Sequence, residues 1–147
     1  MSLKEELMED LKTSMKNKDS IRKNTITMVR AAIKQKEIDE RVELKDEEIL
    51  EIISKQLKEK KNAIKDFKKG ERQDLVEQTE SEMEILLEYL PKQLDEAEIE
   101  KIVKETIEEV EAKSMKDIGI IMKSVMPKVK GRADGNTVNK IARKILE

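Results

Sequence analysis

The sequence predicts an all-α protein, and three observations carry that reading. Leu, Ile, Met and Val recur at three- and four-residue spacing along most of the chain, which places them on one face of successive helices. Ser2 with Glu5 and Asp95 with Glu98 form capping boxes, while Gly70, Pro91 and Pro127 supply stop signals between the apolar stripes. No stretch alternates apolar and polar residues with the period of two that a strand requires. Charged residues make up 44% of the 147 positions and mean hydropathy is −0.71, but this charge falls opposite the apolar stripes and reads as solvated helix faces.

The first helix follows the Ser2 box and carries Leu3, Leu7, Met8, Leu11 and Met15 as one stripe, ending at Asn17-Lys18-Asp19. The second opens near Asp19 or Ser20, is expected to bury Ile21, Thr25, Met28, Ala32 and Ile33, and runs to about Ile38. A loop follows from Asp39 to Lys45. Asp46 is expected to cap a long third helix bearing Ile49, Ile52, Ile53, Leu57, Ile64 and Phe67, with Gly70 as its C′ residue. The fourth spans Gln73 or Asp74 to Leu90, with Leu75, Thr79, Met83, Leu86 and Leu90 inward, and Pro91 closes it.

Pro91 pushes the residue before it out of the helical region, and the Asp95 box starts a new helix four residues on, so the chain is expected to divide into domains 1–90 and 91–147. The first is a four-helix, bundle-like domain and the second a smaller three-helix domain. In the latter, helix five carries Ile99, Ile102, Val103, Thr106 and Val110. Helix six starts at Ser114, carries Ile118, Ile121, Met122 and Val125, and stops at Pro127, and helix seven presents Val138, Ile141, Ala142 and Ile145. A three-helix unit of this size is marginal alone. The only aromatic residues are Phe67 and Tyr89, so the cores are aliphatic and thioether in character, with eight Met available.

The residue inventory excludes much chemistry. With no His and no Cys, nucleophile–imidazole dyads, zinc sites and carboxylate–histidine di-iron centres cannot be built. No phosphate-binding glycine loop or dinucleotide fingerprint is present. Catalytic residues, metal ligands and cofactors are therefore not expected. Glu77, Glu80 and Glu84 share a helix face and could chelate a hard cation, but read as a solvated acidic face. Met115, Met122 and Met126 could form a pliable groove, with core filling as the plainer reading. No apolar run is long enough to span a bilayer and the N-terminus lacks an apolar secretory core, so the default location is the cytoplasm with no membrane partner.

Charge is segregated. Residues 16–36 hold seven Lys/Arg against Asp19 alone, residues 71–90 hold seven acids against Arg72, and residues 113–147 hold nine Lys/Arg against three acids. The basic tail contains Met126-Pro127-Lys128-Val129-Lys130-Gly131-Arg132-Ala133-Asp134-Gly135. Pro127 stops helix six there, Gly131 and Gly135 permit unusual backbone angles, and Asp134 is placed to cap helix seven. Lys128, Lys130 and Arg132 then sit beside the positive end of a helix, an arrangement suited to phosphate or carboxylate, with Lys123, Lys140, Arg143 and Lys144 extending the basic surface. With no aromatic residue in this region to stack bases, any RNA contact is to phosphates and shape, and no DNA partner is expected.

At these residues the sequence resembles the YqeY-like proteins from end to end, and its C-terminal part is similar to the tail domain of the B subunit of the tRNA-dependent Asp/Glu amidotransferase. The resemblance rests on Tyr89-Leu90-Pro91-Lys92-Gln93-Leu94, Met115-Lys116-Asp117-Ile118-Gly119, the Met126 to Gly135 block, and Val138-Asn139. It implies a helical N-terminal part joined to a tail domain that, in the amidotransferase, contacts the tRNA body while chemistry resides elsewhere. The function so implied is an accessory module for tRNA or a tRNA enzyme; a helical protein–protein adaptor is the alternative. Carbon–nitrogen ligase activity with glutamine as amido donor would come only from domain similarity, since these residues supply no catalytic constellation.

Overall fold

The computed structural model describes residues 1–147, which form seven α-helices and no strand. They divide into two compact units, Met1–Leu90 and Pro91–Glu147. The first contains α1 (Leu3–Lys16), α2 (Ser20–Glu40), α3 (Asp46–Lys69) and α4 (Gln73–Leu87). The second contains α5 (Glu96–Glu109), a 3₁₀ turn at Met115–Asp117, α6 (Ile118–Val129) and α7 (Gly135–Leu146).

In the first unit Leu3, Leu7, Ile26, Val29, Ile33, Ile49, Ile53, Leu57 and Leu86 make the buried core. The Ser2 box forms as its spacing requires: Ser2 Oγ accepts from Glu5 N and the Glu5 carboxylate accepts from Ser2 N. The buried face of α2 differs from the expected one. Thr25, Ile26, Val29 and Ile33 are buried, while Ile21 and Met28 are 39% and 53% exposed. Both sets share Thr25 and Ile33; packing against α1, α3 and α4 selects the stripe that turns the β-branched Ile26 and Val29 inward and leaves flexible Met28 outside. On α1, likewise, Met8 and Met15 are exposed rather than part of the core stripe.

Four boundaries also differ from expectation. α2 runs on to Glu40, and Arg41 turns the chain with φ of 54°. Asp46 is the first residue of α3 rather than its cap; its carboxylate instead accepts from Leu3 N at 3.1 Å and ties α1 to α3. Gly70 ends α3 at an ordinary φ of −83°, the left-handed angle falling on Glu71. α4 stops at Leu87, because Pro91 disfavours helical geometry at Leu90 and brings no N–H of its own.

A polar network joins α1, α2 and the end of α4. Arg22 makes a two-pronged bond to Glu88 (2.6 and 3.1 Å), and the Tyr89 hydroxyl donates to Asp10. The guanidinium holds the Glu88 carboxyl below the usual range, while burial and the Asp10 bond push the Tyr89 phenol above its ordinary value. Lys60 and Glu82 pair at 2.7 Å across α3 and α4, each side chain largely buried.

In the second unit Ile99, Val103, Ile121, Val125, Val129, Val138 and Ala142 form a separate core, with Met122 and Met126 packed against it as filling. Pro127 does not end helix six; it lies inside α6, which continues to Val129. Pro127 has no N–H to donate to the Lys123 carbonyl one turn back, and burial of both Val125 and Val129 holds the last turn in place.

Candidate nucleic-acid interface

The segment between α6 and α7 is short and held by the chain that opens the second unit. Arg132 N and Ala133 N donate to Val129 O at 2.8 and 3.1 Å, folding the backbone back on the end of α6. Leu94 N donates to Arg132 O at 2.9 Å, Gln93 Nε2 donates to Gly131 O at 2.8 Å, and Arg132 Nε donates to Lys92 O at 3.2 Å. Gly131 adopts φ of 75°, where a side chain is strained. The Pro91–Leu94 and Gly131–Arg132 motifs, 38 to 40 residues apart in sequence, thus bind one another.

α7 is capped by Asp134, whose carboxylate accepts from Thr137 N at 2.9 Å and from Thr137 Oγ1 at 3.1 Å. This is the cap that the position of Asp134 predicts, and the carboxylate occupies N–H groups of that helix start. Gly135 differs from expectation: it opens α7 without a positive φ, and a Cβ there would meet Met126 Cε at an ordinary 3.7 Å.

The expected basic residues are not brought to one loop. Lys128 lies within α6, and its ammonium donates to Thr106 Oγ1 at 2.9 Å and to the Glu109 carboxylate at 2.8 Å, bracing α6 on α5. Arg132 spends its Nε on the Lys92 carbonyl. Lys130 is exposed between the two helices, and Lys123 is exposed on α6. Lys140, Arg143 and Lys144 form a different group: Val138 and Ala142 face the core, so these three, with Asn136, occupy the solvent face of α7 at spacings of four, seven and eight. Arg143 is oriented by its Nε bond to Asn139 Oδ1 at 2.6 Å, one turn back.

Elsewhere, Glu77, Glu80 and Glu84 are all exposed on α4, and no cluster of three acidic residues stands close enough to hold a metal ion. No helix is long and apolar enough to cross a membrane. The main feature that periodicity did not point to is a groove of about 700 Å³ along α1 and α2, lined by residues that include Met8 and Arg30.

The second unit is thus a small helical module with its two motifs bound to each other and a basic outer helix. The chain belongs to the YqeY-like family, whose sequence model ("Yqey-like protein") matches residues 4–146. It is 31% identical over 144 residues to "Altered inheritance of mitochondria protein 41, mitochondrial" of Pyrenophora tritici-repentis, covering 95% of this chain and 78% of that protein. The protein of the same name from Lachancea thermotolerans is 45% identical over 85 residues, 57% of this chain and 46% of its own length, so there the match spans about half of the relative. A glutamyl-tRNA(Gln) amidotransferase component of Sulfurisphaera tokodaii is 48% identical over 67 residues, 43% of this chain but 10% of that protein.

The mitochondrial names of the fungal relatives overturn the cytoplasmic location expected from composition. That expectation rested on the lack of a long apolar run and of an apolar secretory core, features that bear on membrane spanning and secretion but do not choose among the compartments inside a cell.

Proposed function

We propose that the chain is an accessory RNA-contacting module, its second unit resting on the phosphate backbone of a folded tRNA, free or enzyme-bound. The observation that carries the reading is the solvent face of α7, where Lys140, Arg143 and Lys144 are exposed together, in a chain that matches a tRNA amidotransferase component over 67 residues. Lys128 adds nothing to that face, since its ammonium is committed to Glu109 and Thr106. A row of cations without aromatic platforms fits backbone and shape contact, not base readout. The fungal relatives' names support a mitochondrial setting for this module over a cytoplasmic one.

The test is a titration of transcribed tRNA with the full chain at several salt concentrations. Lys140→Ala and Lys144→Ala should each weaken binding and flatten the salt slope by about one. Lys128→Ala should leave the slope unchanged. A Lys140, Arg143, Lys144→Ala protein that folds and binds tRNA with unaltered affinity and slope would overturn the reading.

A further inference from the structure

In the first unit, α1 and α2 lie side by side and leave an open groove of about 700 Å³ on their outer surface. Its floor is apolar: Leu7 and Ile33 belong to the core, and Met8 and Ala31 are exposed above them. One end is shut by the ion pair between Lys4 and Glu37 at 2.5 Å. Arg30 and Lys34 line the side formed by α2, and neither has an ion-pair or side-chain hydrogen-bond partner in the chain. The contrast with nearby cations is informative. Lys4 is neutralised by Glu37 and Arg22 by Glu88, yet Arg30, Lys34 and Lys23 are left unpaired on a helix segment that carries a strong positive excess.

We propose that this groove receives an amphipathic helix with acidic flanks, supplied by a partner protein. The argument is charge complementarity combined with the nature of the floor. An unbranched, polarizable thioether adapts to varied apolar side chains, and Met15, 55% exposed, continues the Met8 face of α1 at seven-residue spacing, the repeat of a helix laid along a groove. The volume lies within the roughly 300–1,000 Å³ of sites that bury apolar groups. A phosphate backbone would use Arg30 and Lys34 but not Met8, and no aromatic residue lines the groove for bases to stack on. A second copy of this chain is a poor occupant: its acidic helix α4 spends its apolar face, Val76, Ile85 and Leu86, on its own core. It has carboxylates to offer without anchors.

The probe is a synthetic peptide of about five turns with Leu at i, i+3, i+4 and i+7 and Glu on its flanks, beside a counterpart with Lys in place of Glu. Fluorescence anisotropy with the full chain should show binding of the acidic peptide and at least tenfold weaker binding of the basic one. Arg30→Glu with Lys34→Glu should reverse that preference. Met8→Asp should weaken both peptides at least tenfold, with thermal unfolding confirming that each variant folds. Amide shift changes should fall on α1 and α2. Failure of the acidic peptide to bind, equal binding of both peptides, or an unchanged preference in the double variant would overturn the proposal. So would displacement of the peptide by tRNA, which would assign the groove to phosphate, or a dimer that Met8→Asp dissociates, which would assign it to a second copy.

Discussion

Gly131 and Gly135 lie four residues apart, and their replacement by alanine should have opposite effects. At Gly131 the backbone has φ of 75°, and a Cβ would meet Pro91 Cδ at 3.6 Å, an ordinary contact, so the cost is conformational. Left-handed geometry costs a non-glycine residue about 1–2 kcal/mol, and alanine recovers about 0.4–1 kcal/mol by restricting the unfolded chain, leaving a net loss of about 1 kcal/mol. Gly135 is the first residue of α7 with no positive φ and room for a methyl group beside Met126. There alanine gains helix propensity, up to about 1 kcal/mol and less at a helix end. At about 4–8 °C per kcal/mol for a domain of this size, Gly131→Ala should lower the melting temperature of the second unit by several degrees and Gly135→Ala should raise it by a few. Calorimetry of the full chain, with amide signals of Val138 and Val103 reporting the second unit, checks both. A neutral Gly131→Ala together with a destabilising Gly135→Ala would refute the account of this connection.

Two further outcomes follow from the polar contacts. Asp134→Ala should cost about 1 kcal/mol, the loss of an N-cap, whereas Asp134→Asn should retain most of the stability because its amide oxygen can still accept from Thr137 N; denaturant unfolding separates the two. The Glu88 carboxyl has a depressed folded-state pKa, so its stabilising effect is present above the unfolded value, about 4.3, and is lost as pH falls through the lower folded value. Urea midpoints of the first unit should therefore decline as pH falls below about 4, and Arg22→Ala should flatten that decline. The pair is half-exposed, so the change at neutral pH should be small.

The helices were legible because capping and apolar spacing agree locally, as at Ser2–Glu5 and along Ile49, Ile53 and Leu57. The inward face of α2 was not, since Ile21–Met28 and Ile26–Val29 offer two overlapping stripes, and contacts with three other helices choose between them. Pro127 misled for a related reason: a proline signals a stop by its local chemistry, while burial of Val129 two residues later is a tertiary effect. At the candidate site the residue types were readable but their partners were not. Nothing in the spacing of Lys128 shows that its ammonium meets Glu109, nineteen residues away. The α1–α2 groove escaped notice because Met8 and Met15 look like core residues until their exposure is known.

The contacts of Arg132 change the meaning of its motif. Read as sequence, a Lys-Gly-Arg-Ala-Asp-Gly block suggests a loop that grips an anion, but its distinctive groups have partners inside the chain. Arg132 holds Lys92 O, Gly131 O takes Gln93, and Asp134 closes α7. The same bonds account for Pro91-Lys92-Gln93-Leu94, the other distinctive block, because each supplies what the other lacks: a carbonyl for Nε, an amide for a turn carbonyl, a proline ring against a left-handed glycine. Motifs that satisfy one another are explained by folding, so their presence in a chain is weak evidence of what that chain binds. The RNA reading therefore has to stand on Lys140, Arg143 and Lys144. All three are exposed and their side chains reach no other helix; Arg143 and Lys144 stand in the last turn of α7, where a cation stabilises the helix by about 0.3–1 kcal/mol, so Lys140, outside that turn, is the residue whose charge the fold leaves unexplained.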